Sequence, residues 1–303
     1  MQLFVKVLTA SFALLLAAGC APEFDDELGS AQQAIIDGQL NRGDPAVAAL
    51  IFINSAGDES LCSGTLIASD VVLTAAHCLD SQDVVDQVAY FGSDLINADP
   101  DEIATIEIID TVYNQNFDEG DLEAGDDIGM VRLARRPPGI EPIPLNTMPT
   151  TSLIGNQMRL VGWGRTTPVP DVPSLDDGGG AGIKRETTSI IRTYAEAFES
   201  SLSPDNLVAY QDTCQGDSGG PNFVTIDGIE YVAGITSFGT RDCRAAAGTR
   251  VDRYTDFITS YTGELEGDSA TDGGSSAIVG GCSVTSRSIS TPLWLLLAFG
   301  FLA

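Results

Sequence analysis

Three short segments carry residue types that together can activate an oxygen nucleophile. The first, Thr74-Ala75-Ala76-His77-Cys78, holds the only histidine of the 303-residue chain. The second is Asp126-Asp127-Ile128-Gly129-Met130-Val131-Arg132-Leu133, and the third is Cys214-Gln215-Gly216-Asp217-Ser218-Gly219-Gly220-Pro221. A serine hydroxyl is a poor nucleophile until a neighbouring base takes its proton. His77 is the one imidazole available, and placing it idly in a core or on a surface would leave the chain with no such base. A base, an acid and a nucleophile therefore follow one another in the order His, Asp, Ser. Gly216 and Gly219 flank the serine and leave room for backbone to approach a substrate.

The elements that must position these residues read as strands. From Ile35 to about Leu265 the chain shows short β-rich runs between turn residues, among them Ala46–Ile53, Val71–Thr74, Gln87–Phe91, Met158–Val161 and Tyr231–Ile235. Asp227-Gly228 between Phe223–Ile226 and Ile229–Val232 predicts a tight hairpin. Amphipathic helices are few, Asp252–Tyr261 being the best. Many strands joined by turns argue a barrel or sandwich, an all-β fold. Residues 167–182 hold three prolines and four glycines without a core pattern, and predict a long surface loop near the site.

The three segments, in this order and at these separations, resemble the trypsin/chymotrypsin family of serine endopeptidases. Val161-Gly162-Trp163-Gly164-Arg165-Thr166 and Thr249-Arg250-Val251-Asp252-Arg253-Tyr254 add to the match, which covers about residues 35–264. The resemblance implies two six-stranded antiparallel β-barrels with the active site in the cleft between them, and a C-terminal helix. It implies His77 as general base, Ser218 as nucleophile and Asp127 as the carboxylate that orients the imidazole. Asp127 is preferred to Asp126 because the family places its aspartate directly before an apolar strand, here Ile128–Leu133. The amides of Gly216 and Ser218 correspond to the oxyanion hole. Thr213, Gln215, Ser237, Phe238 and Gly239 correspond to substrate-binding positions, Phe238 standing where tryptophan is more usual. The family also pairs Cys62 with Cys78 and Cys214 with Cys243, as suits an exported chain.

Asp212, six residues before Ser218, matches the floor of the family's primary specificity pocket, where an acid selects Lys or Arg. Ala246 falls where a pocket-lining glycine is common, and its methyl would narrow the pocket. Two other readings stay open: an active enzyme preferring small residues, and a catalytically silent homologue acting as a binding module. The resemblance further implies a zymogen. Cleavage after Ala34 would free Ile35, whose ammonium would pair with Asp217. The bond follows Gln33-Ala34, so a separate activating protease is expected.

The flanks read as processing segments. Lys6 precedes an apolar run, Val7 to Ala18, too short to span a bilayer and suited to a signal peptide over 1–19. Leu16-Ala17-Ala18-Gly19-Cys20 resembles a bacterial lipoprotein cleavage box, making Cys20 a lipidation candidate. A propeptide over 20–34 and the protease domain over 35–264 follow. Residues 265–282 form a Gly/Ser/Asp/Thr-rich tether, and 283–303 an apolar tail. Gly280-Gly281-Cys282 ahead of that tail resembles C-terminal sorting signals of some Gram-negative bacteria, so Cys282 is a second candidate. The expected setting is exported: periplasmic, outer-membrane-attached or extracellular in a Gram-negative bacterium. A net charge of −28 argues against nucleic acid, because phosphate binding needs Lys and Arg. The expected partners are protein or peptide substrates and the activating protease, with membrane attachment through lipid or tail. The protein is expected to be a monomer with no cofactor and no metal.

Overall fold

The computed structural model describes residues 35, 38–81, 83–97, 105–166, 179–198, 207–210 and 213–263. All fall in the first of the two units into which the chain divides, 1–266 and 267–303. The expected signal peptide, propeptide, tether and tail, with Cys20 and Cys282, lie outside the described residues, as does Asp212.

Seven strands come first: β1 (Gln39–Leu40), β2 (Val47–Asn54), β3 (Glu59–Ala68), β4 (Val71–Thr74), β5 (Val84–Tyr90), β6 (Thr105–Tyr113) and β7 (Gly129–Leu133). The last six close into a barrel in the order β2-β3-β4-β7-β6-β5. In β6 burial alternates at Thr105–Ile109, with Ile106 and Ile108 inward, as expected of a strand with one solvated face. β2 opens on four consecutive buried residues because core lies on both of its sides.

The second half holds β8 (Gln157–Gly162), β9 (Arg185–Ile190), α1 (Tyr194–Phe198), β10 (Leu207–Tyr210), β11 (Pro221–Ile226), β12 (Ile229–Gly239), β13 (Ala246–Arg250) and α2 (Thr255–Thr262). Here the expected second six-stranded barrel takes the form of a half-barrel, a seven-stranded sheet ordered β1-β9-β8-β11-β12-β13-β10. The seventh strand is β1, two residues at the start of the domain, laid on β9 through Gln39–Glu186 and Leu40–Arg185. The β11–β12 hairpin turns at Asp227 and Gly228, both with positive φ (52° and 83°), as its sequence predicts.

Helix α2 starts three residues later than its sequence suggests. Asp252 is taken up by Arg250 and by the Thr150 hydroxyl, which holds residues 251–253 in a 3-10 turn. Of the expected surface loop, 167–182, only 179–182 are among the described residues. These are packed inward, with Gly182 donating to Trp163 O and accepting from Leu95 N.

One apolar cluster runs through both halves, joining Leu73, Ile128 and Met130 to Trp163, Phe223 and Ile258. Burying one such side chain contributes about 1.5–3 kcal/mol. The two halves thus form one body with a shared core, and the segments singled out in the sequence meet along its seam.

Candidate active site

His77 sits in a 3-10 turn, Ala76–Cys78, where the chain leaves β4. Cys78 is tied back to Cys62 on β3 by a disulfide, so the turn cannot swing away from the barrel. Asp127 lies just ahead of β7 and is fully buried. Its Oδ1 accepts the His77 amide at 2.9 Å, and its Oδ2 lies 2.8 Å from His77 Nδ1. The Ser237 hydroxyl donates to the same Oδ2, and Thr249 Oγ1 donates to Asp127 O at 3.0 Å. Burial alone pushes the Asp127 carboxyl up; the bonds from His77 and Ser237 more than offset it and hold the group below the usual carboxylate range. An ionised carboxylate can only accept, so it selects the imidazole tautomer with hydrogen on Nδ1. Nε2 is then left as a free acceptor, the form a general base needs.

Ser218 is carried by a turn wedged between the halves. Its carbonyl accepts the Ser63 amide of β3 at 2.7 Å, and Gly219 N donates to Thr236 O of β12 at 2.8 Å. Gly216 O accepts Ser63 Oγ at 2.9 Å. Glycine is obligatory at 219: φ is 77°, and a Cβ there would lie 2.1 Å from Thr74 Oγ1 and 2.4 Å from Ser63 O. Gly216 has φ 93° and lies against the Cα of Gly164.

Ser218 also lines a cavity of about 200 Å³ together with Thr213, Gln215, Ser237, Phe238 and Gly239. Every described residue expected to bind substrate is therefore on this cavity except Ala246. Ala246 is fully buried on β13, opposite Gly239 and Tyr210, and packs with Met158, Leu160 and Tyr210. Cys214 and Cys243 are joined as expected and form part of the cavity wall.

Asp217 points away from the cavity. It is buried, accepting Gly164 N on Oδ1 at 2.8 Å and Cys214 N on Oδ2 at 2.9 Å. Burial pushes its carboxyl up to about 7, and those two bonds with the field of Arg185 only partly counter the shift. Ile35 is buried too, with φ 44° and its carbonyl accepting Gly38 N.

Some partners were not legible in advance. Ser237 lines the cavity on the strand expected to bond the substrate backbone, and its hydroxyl in addition donates to Asp127, which was not expected; Thr249 had no expected role. Tyr194 stacks on Phe198 with ring centroids 4.6 Å apart, and both rings approach Phe238 at the cavity rim. Their i, i+4 spacing was the available signal. Among the described residues the one group with metal-ligand spacing is Cys62, His77 and Cys78, and the disulfide takes both sulfurs.

A sequence model of the family described as Trypsin matches residues 37–258. Brachyurin of Leptuca pugilator is 31% identical over 71% of this chain and 92% of its own length. The venom plasminogen activator LV-PA of Lachesis muta muta is 32% identical over 70% of this chain and 80% of its own. A solved structure titled HL collagenase superposes with a TM-score of 0.60 at 21% identity, covering 76% of this chain and 99% of that one, and attests the fold. The chain belongs to the trypsin family of serine proteases. Its substrates are accordingly proteins or peptides. The family's relatives also include a protein named Snake venom serine protease homolog, from Bothrops jararacussu, 31% identical over 66% of this chain.

Proposed function

We propose that the protein is an active serine endopeptidase in which His77, Asp127 and Ser218 form the catalytic triad. The observation that carries this reading is the buried Asp127 fixed to His77 at two atoms, beside a cavity that Ser218 lines. Ser218 Oγ attacks the scissile carbonyl carbon while His77 Nε2 takes its proton. The tetrahedral oxyanion is held by the amides of Gly216 and Ser218. Among the described hydrogen bonds of this turn, Asp217, Gly219 and Gly220 donate their amides within the fold, while Gly216 and Ser218 do not, which supports that role. One oxyanion donor typically contributes about 3 kcal/mol in the transition state. The C–N bond then breaks as the imidazolium returns the proton to the leaving amine, and water hydrolyses the acyl-enzyme by the same route.

The enzyme is made as a zymogen, activated by another protease at the Ala34–Ile35 bond. Two features support this. Asp217 is a buried carboxyl that makes no ion pair among the described residues, and burial pushes it up to about 7 against the field of Arg185. Ile35 has a left-handed backbone, which a β-branched residue adopts at a cost of about 1–3 kcal/mol. Cleavage removes the preceding carbonyl that makes this conformation costly, and creates the ammonium that Asp217 lacks. The primary specificity is for Arg or Lys through Asp212. A second reading, preference for small residues, is favoured by the modest cavity and the Phe238 ring at its wall. Export is supported by the apolar start of the chain and by two disulfides, which persist in oxidising compartments.

The test is covalent labelling of the cleaved protein by a fluorophosphonate, with peptide mapping, followed by hydrolysis of matched arginyl and alanyl esters. Labelling at Ser218 with faster arginyl turnover is expected. No label would establish a silent homologue, and faster alanyl turnover would establish the second reading.

A further inference from the structure

Asp126, the carboxylate next to the triad aspartate, and Tyr254, the last residue of the Thr249–Tyr254 motif, have no role in the mechanism above, yet they meet. Asp126 has φ 53°, directly after Gly125 at φ 85°. Two successive residues with positive φ turn the chain sharply just before Asp127; aspartate tolerates such a conformation better than most residues, and its surroundings decide whether it is held in that one state. Tyr254 enforces it from both sides. Its hydroxyl donates to Asp126 Oδ1 at 3.0 Å and accepts the Asp126 amide at 2.9 Å. Asn114, at the end of β6, donates through Nδ2 to the same Oδ1 at 2.9 Å. Ile128 N closes onto Asp126 O at 2.9 Å, and Asn114 N onto Ile128 O at 3.0 Å. Asp127 is thus clasped on both flanks of the chain.

We propose that Tyr254 is a positioning residue for the triad: its hydroxyl locks the left-handed turn at Asp126 and thereby aims the Asp127 carboxylate at His77. Tyr254 stands at the entry to α2, whose Ile258 amide bonds back to Tyr254 O at 3.0 Å. The C-terminal helix therefore reaches the active site through one phenol and one residue at positive φ. This inference rests on the proposed role of Asp127.

The test separates aiming the carboxylate from merely docking the helix. In the cleaved protein, Tyr254→Phe should lower kcat by about 10- to 100-fold, the scale of a small misplacement of a catalytic group, with KM within about twofold. Because the chain has a single histidine, the proton on His77 Nδ1 can be followed by NMR without ambiguity. Its hydrogen-bonded downfield signal should weaken or move upfield in the same variant, in cleaved and uncleaved protein alike. Glycine adopts the left-handed turn unaided. The double variant Tyr254→Phe/Asp126→Gly should therefore recover kcat to within about threefold and restore the signal. Asp126→Asn, which keeps the acceptor oxygen and tolerates the turn, should retain most of the rate. Wild-type kcat and an unchanged Nδ1 signal in Tyr254→Phe would overturn the proposal, as would a loss that Asp126→Gly does not repair. Asp127→Asn serves as the control: if it kept full activity the triad reading itself would fall, while the NMR signal would still decide whether Tyr254 aims residue 127.

Discussion

His77 reaches Asp127 through a backbone amide and a ring nitrogen, and the second carboxylate oxygen is shared with Ser237. An imidazole so constrained has one productive orientation. Ser218→Ala or His77→Ala should lower kcat on the order of a millionfold, as loss of a triad serine or histidine typically does. Retention of more than a trace of activity in the purified variant would break the mechanism. The proposed preference for Arg or Lys turns on another carboxylate, Asp212. A substrate guanidinium meeting a buried acid is worth about 2–5 kcal/mol on truncation of one partner. Asp212→Ser should accordingly cut kcat/KM for arginyl peptides by roughly 30- to several-thousand-fold, with alanyl peptides little affected. Equal effects on both would remove Asp212 from the pocket. The segments bearing His77, Asp127 and Ser218 are legible because their roles need fixed residue types at fixed spacing. Ser237 shows the limit: the motif marks its strand, but that its hydroxyl also holds the Asp127 carboxylate is visible only once the fold brings the two together.

Among the elements, the turn at 214–220 is the most constrained by its neighbours. It fits between β3 and β12 only because Gly219 brings its Cα against Ser63 O and Thr74 Oγ1. Gly219→Ala combines a left-handed backbone with a clash against fixed strand backbone, and should cost about 3 kcal/mol or more in denaturant unfolding. An unfolding free energy within a few tenths of a kcal/mol of wild type would show that the turn relaxes. Strands β4 and β12 were readable from apolar runs, and the hairpin at Asp227-Gly228 from its turn residues. The seventh strand of the half-barrel was not. Gln39–Leu40 is too short for a periodic pattern, and its pairing with Arg185 and Glu186 is a long-range choice. The inward packing of Gly179–Gly182 was hidden for a related reason: glycines suggest a loop, and their small size is also what lets Arg165 and Thr166 pack against them.

At the scale of the molecule, the proposed zymogen mechanism makes Asp217 couple the cut at Ile35 to stability. In the uncleaved chain its carboxyl is raised from 3.8 to about 7. The folded state then holds a proton that the unfolded chain releases between those values, so this group's contribution is fully present below pH 3.8. It is lost as pH rises through about 7, amounting to about 4 kcal/mol at alkaline pH. Asn at 217 cannot titrate. The melting temperature of uncleaved Ser218→Ala protein should therefore fall, relative to the same protein carrying Asp217→Asn, as pH rises from 4 to 7. After cleavage the dependence should reverse, because an ammonium-paired carboxylate loses its stabilisation on acidification. A constant difference across that range in the uncleaved protein would mean that Asp217 is already paired.

In the proposed zymogen the same buried carboxyl would make maturation an acid–base reaction as well as a hydrolysis. With its carboxyl raised to about 7 by burial, Asp217 is expected to hold its proton at pH 6 in the uncleaved chain, and insertion of the new amino terminus would require that it leave. Each activation event should then release close to one proton to the buffer at pH 6, and little above pH 8. Calorimetric heats of activation measured in buffers of different ionisation enthalpy would count it. The zymogen would thus be harder to switch on in an acidified compartment than in a neutral one, with the cutting enzyme and the bond it cuts unchanged.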